Sequence, residues 1–312
     1  MFWRELLACV LLCHEDVTAN WDDWWTYEGI SGPAYWGVFN PDWHFCDRGR
    51  QQSPINIDPY KLLFDPLLRP LHLDKVPTRG RLNNTGRLLM YRTEEGDGWP
   101  PLNITGGPLL YTYRLAEIHI HFGTNNRTGS EHKIHGYTFP AELQLYGFNS
   151  ELYKTMAEAL HRPQGIVAIS IMVQIGKTTH KELEKITGCL HQVQYKGSTC
   201  PIEGLSVRGL LPQTEHYITY EGSTTLPGCW ETATWILSNK PIYVTPHELR
   251  IMQGLVQGSK DETKGLLGNN MRPLQPVHHR TVRTNVNFSN AGQKLCPSMQ
   301  HQMFYKANWP GR

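Results

Sequence analysis

The chain has 312 residues, of which 39% are hydrophobic and 19% are charged, the composition of a folded globular protein. Its formal net charge is +2, and no basic run marks a surface for nucleic acid. The 28 glycines and 21 prolines favour strands and loops over a helical bundle. No linker-like change in composition divides the sequence, so we predict one domain over residues 20–289 and a C-terminal tail over 290–312.

Residues 1–19 have the pattern of a short signal peptide, with Arg4 ahead of an apolar run from Leu6 to Cys13. Glu5, the brevity of the apolar run and the missing small-residue cleavage site leave an alternative, in which this segment is merely a buried or disordered start of the chain. No later stretch has the ~18 apolar residues that would cross a bilayer. We therefore expect a secreted protein, and four glycosylation sequons agree with that expectation: Asn83, Asn103, Asn126 and Asn287.

Strand-like segments recur along the chain, whereas helix signals are few. Glu151–Arg162 and Lys181–Leu190 have weak helical periodicity, and Thr245 is a good N-cap for a third helix. Many strands with few intervening helices predict a mainly β (α+β) fold with one large, mostly antiparallel sheet. The predicted strands are Gln52–Ile57, Leu82–Tyr91, Arg114–Phe122, Ala141–Tyr146, Gly165–Val173, Tyr217–Tyr220, Ala233–Leu237 and Ile242–Val244.

Two histidines share one face of a predicted strand. Residues 117 to 123 alternate between polar and apolar side chains, the period of a half-buried strand. Glu117, His119 and His121 therefore point to the same side. Two imidazoles, one more protein ligand and an open position would make a catalytic zinc site.

The next alternating run puts Glu142, Gln144 and Tyr146 on one face. Gln144 is placed where a third zinc-binding histidine would be expected. An amide oxygen is a neutral donor that suits harder ions than Zn²⁺. Gln144 therefore decides what chemistry the site can perform.

A series of motifs follows in order along the chain: Gln52–Ile57, Leu82–Asn84, Gly129–His132, Ala141–Leu143, Gly222–Pro227, Trp235–Ile236, Arg272–Pro276 and Arg283–Phe288. In these motifs the chain resembles the α-carbonic anhydrase family over about residues 24 to 288, and within it the acatalytic related proteins of the ten/eleven type. The resemblance implies a single domain around a twisted, mostly antiparallel sheet of about ten strands, with short peripheral helices.

The resemblance assigns roles to residues of the two alternating strands. His119 and His121 match the first two zinc ligands of the family, and Gln144 stands at the third. Glu117 and Glu142 match positions that orient those ligands. A carboxylate can fix the tautomer of a ligand imidazole, and Glu142 can accept the amide N–H of Gln144.

Three further matches and three departures complete the comparison with the family. Thr225 and Glu131 match the pair that orients a zinc-bound hydroxide, and His132 matches a structural histidine. The departures are Gly86 in place of a proton-shuttling histidine, Leu226 in place of a polar residue, and Tyr146 in place of a small aliphatic residue in the carbon dioxide pocket.

The altered ligand predicts a protein without bound zinc and without carbon dioxide hydration. Hydration needs Zn²⁺ to lower the pKa of bound water to about 7. We expect His119 and His121 to be hydrogen-bonded in a polar cavity instead. The alternative is a weak zinc enzyme that uses both histidines and Gln144.

Five cysteines follow the predicted signal peptide, so one is left over from pairing. The resemblance implies a disulfide between Cys46 and Cys229. Cys189 and Cys200 lie eleven residues apart, a separation compatible with a local bridge or with two thiols. Cys296 is then the odd thiol, either incidental or used in a disulfide-linked dimer or complex. The resemblance also implies a cell-surface partner, since proteins of this branch bind neurexins at synapses.

The run His278–Arg280 has no ligand spacing, because adjacent residues on a strand point to opposite sides. We interpret it as a solvated basic loop. Tyr27 and Trp36 belong to an aromatic cluster near the start of the chain, which we assign to the core.

Overall fold

The structure is a computed structural model that describes residues 24–287. The predicted signal peptide, the tail over 290–312 and Cys296 lie outside the described residues, as do Cys9 and Cys13. Among the described helices, none is both long enough and apolar enough to cross a membrane.

Strands dominate the described part of the chain. They are β1 Asn56–Ile57, β2 Leu63–Phe64, β3 Leu71–Leu73, β4 Thr78–Asn84, β5 Leu89–Glu94, β6 Asn103–Gly106, β7 Tyr113–Phe122, β8 Lys133–Ile134, β9 Ala141–Asn149, β10 Ile166–Ile175, β11 Thr199–Leu205, β12 Tyr217–Gly222, β13 Ala233–Ser238, β14 Ile242–Val244 and β15 Arg283–Thr284.

Thirteen of these strands form one mixed sheet. Ten of them lie side by side in the order β11-β4-β5-β7-β9-β10-β13-β12-β15-β2, and β3, β6 and β14 pair off this path. Most pairs are antiparallel; β10 pairs in parallel with β13 and β14, and β15 with β2. The predicted mainly β fold, with a mostly antiparallel sheet and short peripheral helices, is confirmed.

The predicted strand Leu82–Tyr91 is wrong as a single element, since β4 and β5 are two strands of a hairpin. A turn separates them, in which the backbone N–H of Thr85 donates to Leu88 O. Gly86 adopts a φ of +82° in this turn, a conformation that glycine reaches without steric cost. The predicted strand Gln52–Ile57 is also shorter than expected and keeps just β1.

Helices are few and short, and one of the predicted helices is mostly absent. Glu151–Arg162 contains one turn of helix at Met156–Ala159, because Asn149 Oδ1 holds a turn by accepting from the backbone N–H groups of Glu151 and Leu152. The α-helices are α1 Trp36–Phe39, α2 Phe45–Arg48, α3 Met156–Ala159, α4 Lys181–Thr187, α5 Val207–Leu210 and α6 Pro246–Gln253; the 3₁₀ turns are Gly29–Ser31, Pro41–Trp43, Pro59–Lys61 and Leu190–Val193.

The predicted capping of the last helix is confirmed. Thr245 accepts a hydrogen bond from the backbone N–H of Glu248 at 3.3 Å and donates to its carboxylate at 2.7 Å. The Thr245 hydroxyl thereby satisfies one backbone N–H that has no partner within the helix. Helix α6 then packs Leu249 and Met252 into the core beside the sheet.

Two disulfides join distant or local parts of the fold. Cys46 in α2 bonds to Cys229, which ties the N-terminal region to the loop that follows Thr225. Cys189 bonds to Cys200 at the start of β11. The Cys46–Cys229 disulfide that the resemblance implied is therefore present. The Cys189–Cys200 disulfide, which the spacing left open, is present as well.

Candidate functional site

The candidate site lies at the centre of the sheet, where β7 and β9 run antiparallel. In their register His119 faces Gln144 and His121 faces Glu142. His119 is 3% exposed, and the other three side chains are fully buried. The sheet therefore brings the predicted residues together in a closed, polar centre.

Glu142 is the most heavily bonded group of this centre. Its Oε1 accepts from His132 Nδ1 at 2.8 Å, from Ser170 Oγ at 2.7 Å and from Gln144 Nε2 at 3.0 Å. Its Oε2 accepts from the backbone N–H of His132 at 2.9 Å. Burial alone would raise the pKa of Glu142, but the charge and hydrogen bonds of His132 lower it to about 2. Glu142 is therefore ionised at neutral pH.

The amide of Gln144 is fully used by protein groups. Its Nε2 donates to Glu131 Oε2 at 2.8 Å as well as to Glu142. Its Oε1 accepts from the phenol of Tyr146 at 2.9 Å and lies 3.5 Å from the Thr225 hydroxyl. The two carboxylates need N–H donors, which sets the orientation of the amide. The oxygen that would meet a metal is thus already hydrogen-bonded.

His119 is held by a carboxylate of its own strand. Its Nε2 donates to Glu117 Oε2 at 2.9 Å, and Arg92 contacts the other oxygen of that carboxylate at 2.7 Å. Burial would raise the pKa of Glu117, but hydrogen bonding to His119 leads a set of interactions that lower it to about 2. The buried Nδ1 of His119 has no partner among the described residues.

His121 is held by a backbone carbonyl. Its Nδ1 donates to Asn270 O at 2.6 Å, which leaves Nε2 as the ring nitrogen that faces the site. That Nε2 is buried without a hydrogen-bond partner in the described structure and lies 3.7 Å from Glu131 Oε2. The sequence did not single out Asn270, because nothing in its local pattern shows that it reaches a strand 149 residues away.

Tyr146 fills the space beside these groups. Its ring centroid is 4.5 Å from that of His119, and burial together with Glu131 raises its pKa well above the ordinary value. The phenol therefore stays protonated and donates. Tyr27, which sequence analysis assigned to the aromatic core, has a buried hydroxyl without a partner in the described chain, and burial and Glu131 raise its pKa.

The pair that would orient a zinc-bound hydroxide is not joined. Between residues 24 and 287 no hydrogen bond links the Thr225 hydroxyl to Glu131; Glu131 Oε2 accepts from Gln144 instead. Glu131 Oε1 accepts from the backbone N–H of Arg272 at 2.8 Å. His132 has the structural role expected, since its Nε2 is bonded to the Tyr220 hydroxyl at 2.7 Å.

Position 86 has no room for a side chain. A Cβ built on Gly86 would lie 2.7 Å from Gln257 O and from the Lys196 side chain. The neighbouring Arg87 places its guanidinium over the ring of Trp25, 5.0 Å from the centroid. A proton-carrying histidine therefore does not fit at Gly86.

The four sequons differ in their surroundings. Asn126 and Asn287 are exposed, whereas Asn83 and Asn103 are half-buried on strands. Asn103 Nδ2 donates to Asp74 Oδ2 at 3.0 Å, and Asn83 Oδ1 is buried without a partner in the described region. The side chain of Asn126 is exposed, and its Oδ1 accepts from Gln253 Nε2 at 3.3 Å.

The residues present do not fit a catalytic zinc ion. Such an ion needs three protein donors around an open position. Two imidazole nitrogens have no hydrogen-bond partner among the described residues, His119 Nδ1 and His121 Nε2, but the third donor, Gln144 Oε1, accepts from Tyr146. Within residues 24–287 no group of three or more histidine, cysteine or acidic side chains is arranged for a metal.

Comparison with known proteins agrees with this architecture. A family model described as eukaryotic-type carbonic anhydrase matches residues 31–286, which include every strand from β1 to β15. The chain belongs to the carbonic anhydrase family, as its motifs predicted. It is similar to the putative carbonic anhydrase-like protein 2 of Caenorhabditis elegans, with 41% identity over 297 residues that cover 92% of this chain and 87% of that protein.

Proposed function

We propose that this protein is a catalytically silent member of the carbonic anhydrase family. One observation carries the proposal: the third ligand position holds Gln144, whose oxygen is bonded to Tyr146 and whose nitrogen is bonded to Glu131 and Glu142. To bind here, a metal would have to displace the Tyr146 phenol from the oxygen of Gln144. The ligand it would gain is a neutral amide oxygen, which is a weak donor for zinc. Replacing a residue that merely orients a metal ligand lowers metal affinity about 10–100-fold. Replacing a histidine ligand itself should therefore lower the affinity at least as much.

The test combines metal analysis with a hydration assay. Protein secreted from cultured cells is analysed for zinc without added metal, and carbon dioxide hydration is then followed by stopped flow with zinc added. We expect less than one zinc per ten molecules and a rate equal to that of buffer. A full equivalent of zinc, or a sulfonamide-sensitive rate above buffer, would overturn the proposal.

The proposal includes a role as a secreted ligand of a cell-surface protein. Two disulfides support an oxidising compartment, and the exposed sequon at Asn126 suits an extracellular surface. The partner that the resemblance implies is a neurexin. Cys296 supplies an unpaired thiol for a disulfide-linked dimer or complex.

A pull-down and a gel test the binding role separately from the catalytic one. Tagged protein is incubated with neuronal membranes, and captured proteins are separated with and without reductant. We expect a neurexin in the captured fraction and a high-mass band that reductant removes. Cys296→Ser should abolish that band, whereas Asn126→Gln should keep it. Capture without any neurexin would refute the partner, and a monomer in every lane would refute the disulfide.

A second candidate function, a weak zinc enzyme, rests on the two unpartnered imidazole nitrogens. Both nitrogens would face a metal if the side chain of Gln144 turned away from Tyr146. Its oxygen would then complete a set of three donors. The same metal and hydration measurements separate the two candidates.

A further inference from the structure

Away from the buried centre, an open groove follows the segment that leads into β15. Its volume is about 630 Å³, within the usual range for ligand pockets of roughly 300–1,000 Å³. Four apolar side chains stand on its walls: Leu63, Leu274, Val277 and Val282. Leu63 is 51% exposed and Leu274 is 37% exposed, so the structure presents apolar surface there to solvent.

A second hollow of about 590 Å³ continues this groove, since His278 and Arg280 line both. Arg50, Gln51 and His279 also line it. We call the two hollows together the basic groove. The basic groove lies between Arg50, in the N-terminal part of the chain, and His278–Arg280, the run that sequence analysis interpreted as a solvated basic loop.

The charges of the basic groove are mostly of one sign. Three basic side chains line it, Arg50, Lys61 and Arg280, and Asp58 is the one carboxylate among its described lining residues. Asp58 lies 3.4 Å from Lys61, whose side chain is 84% exposed. The groove therefore attracts anionic groups while its walls offer apolar contact.

Arg280 holds the turn of the basic groove in place. Its guanidinium donates to Gln52 O at 2.7 Å and to Pro276 O at 2.9 Å, and lies over the ring of Tyr220 at 5.4 Å. His278 is fixed in a left-handed conformation with a φ of +54°. A turn that is already ordered loses little conformational freedom when a ligand binds.

We propose that the basic groove binds an extended, acidic segment of a partner protein, with an apolar side chain anchored between Leu63 and Leu274. This inference rests on the proposed binding role and names the surface that would serve it. A sulfated polysaccharide would match the cations but would leave the exposed side chains of Leu63 and Leu274 uncovered. A peptide with alternating acidic and apolar residues matches both features, because its alternate side chains point to opposite sides.

The test uses a fluorescein-labelled peptide of alternating glutamate and leucine, titrated into the full-length secreted protein. A matched peptide of alternating lysine and leucine is the control probe. We expect the acidic peptide to bind at least about tenfold more tightly, and its affinity to fall as salt rises. Leu63→Glu and Arg50→Glu should each weaken binding at least about tenfold, because a like charge then faces the ligand.

Two control variants carry the same changes outside the groove. Leu67→Glu alters a leucine that is 84% exposed but does not line the groove, and Lys177→Glu reverses an exposed charge elsewhere. Both should bind the acidic peptide as the unmodified protein does. Equal loss in groove and control variants would show that net charge alone drives binding and would overturn the proposal.

Other occupants give different results. If a heparin oligosaccharide displaces the peptide and Leu274→Ser has no effect, the groove recognises sulfated glycan and the proposal is wrong. If the protein is a dimer in solution and Leu63→Glu alone makes it monomeric, a second copy of the chain covers the groove. That result would also overturn the proposal. If the Leu63→Glu variant still captures a protein from neuronal membranes, the binding role stands but the basic groove is not the surface that serves it. If the groove binds the acidic peptide but the protein captures nothing from membranes, the groove stands and the binding role is rejected.

Discussion

The phenol of Tyr146 donates to the amide oxygen of Gln144 over 2.9 Å, two residues along the same buried strand. Removing this hydroxyl leaves a buried acceptor with a distant Thr225 hydroxyl at 3.5 Å. We expect Tyr146→Phe to lower the free energy of unfolding by about 1 kcal/mol, measured by urea denaturation. Tyr60→Phe removes an exposed hydroxyl and should change stability by less than about 0.5 kcal/mol. Equal losses of stability in the two variants would contradict the hydrogen bond between Tyr146 and Gln144.

Restoring a histidine should restore affinity for zinc before it restores activity. Gln144→His adds an imidazole to His119 and His121, and we expect zinc affinity to rise at least about tenfold. Hydration should recover only in part, because Tyr146 still fills the neighbouring space and Gly86 has no room for a shuttle histidine.

Competition with a chromophoric chelator measures the affinity, and stopped flow measures the rate. Gln144→His with Tyr146→Val should be faster than Gln144→His alone. Gln213→His, on an exposed loop, is the control and should bind zinc no better than the unmodified protein. A single variant as fast as the double one would show that Tyr146 is no obstacle.

Acid should destabilise the protein through Glu142. The pKa of Glu142 is lowered to about 2 in the folded state, against about 4.3 for a free glutamate. A group with a depressed folded pKa contributes stability above its unfolded value and loses it as pH falls through the folded value. The stability from Glu142 should therefore be complete above about pH 4.3 and disappear toward pH 2.

Denaturation midpoints between pH 6 and pH 2 test this expectation. Glu142→Gln should be less stable at neutral pH and should lose less stability on acidification. Glu262→Gln changes an exposed side chain and should keep the slope of the unmodified protein. A slope that Glu142→Gln leaves unchanged would count against the assignment.

The two disulfides should stabilise the fold to different extents. They span 183 and 11 residues of sequence. In the chain-entropy account this difference makes the Cys46–Cys229 bond about 2.5 kcal/mol more stabilising than the Cys189–Cys200 bond. Replacing each pair by alanine and measuring urea unfolding compares them directly. If removal of the Cys189–Cys200 bond lowers the free energy of unfolding more than removal of the Cys46–Cys229 bond, the entropic ranking is refuted.

Glycan attachment should follow exposure of the asparagine. Asn126 lies exposed, whereas Asn103 donates to Asp74. Asn126→Gln should remove a glycosidase-sensitive shift in gel mobility, and Asn103→Gln should leave the mobility unchanged. A shift that depends on Asn103 would mean that its hydrogen bond forms only after modification.

Sequence periodicity predicted the central features of the site. Alternation placed Glu117 beside His119 and Glu142 beside Gln144, and both hydrogen bonds are present. It did not reveal that the Tyr146 phenol turns toward Gln144, since periodicity gives the face of a strand and not a rotamer.

Contacts from distant segments were also beyond the sequence patterns. Asn270 holds His121 from 149 residues away, and the backbone of Arg272 holds Glu131 from 141 residues away. Such loop residues have no period that marks their partners. The hairpin at Gly86 was missed for a different reason, because the apolar residues on both sides read as one continuous strand.

Glu142 is a meeting point for separate parts of the sheet. Its donors belong to His132, Ser170 and Gln144, so one carboxylate connects β9 with β10 and with the segment that leads into β8. Losing any one donor leaves the other contacts in place, whereas a change of Glu142 itself releases all of them together. The interior should therefore tolerate substitution around this carboxylate better than substitution of the carboxylate.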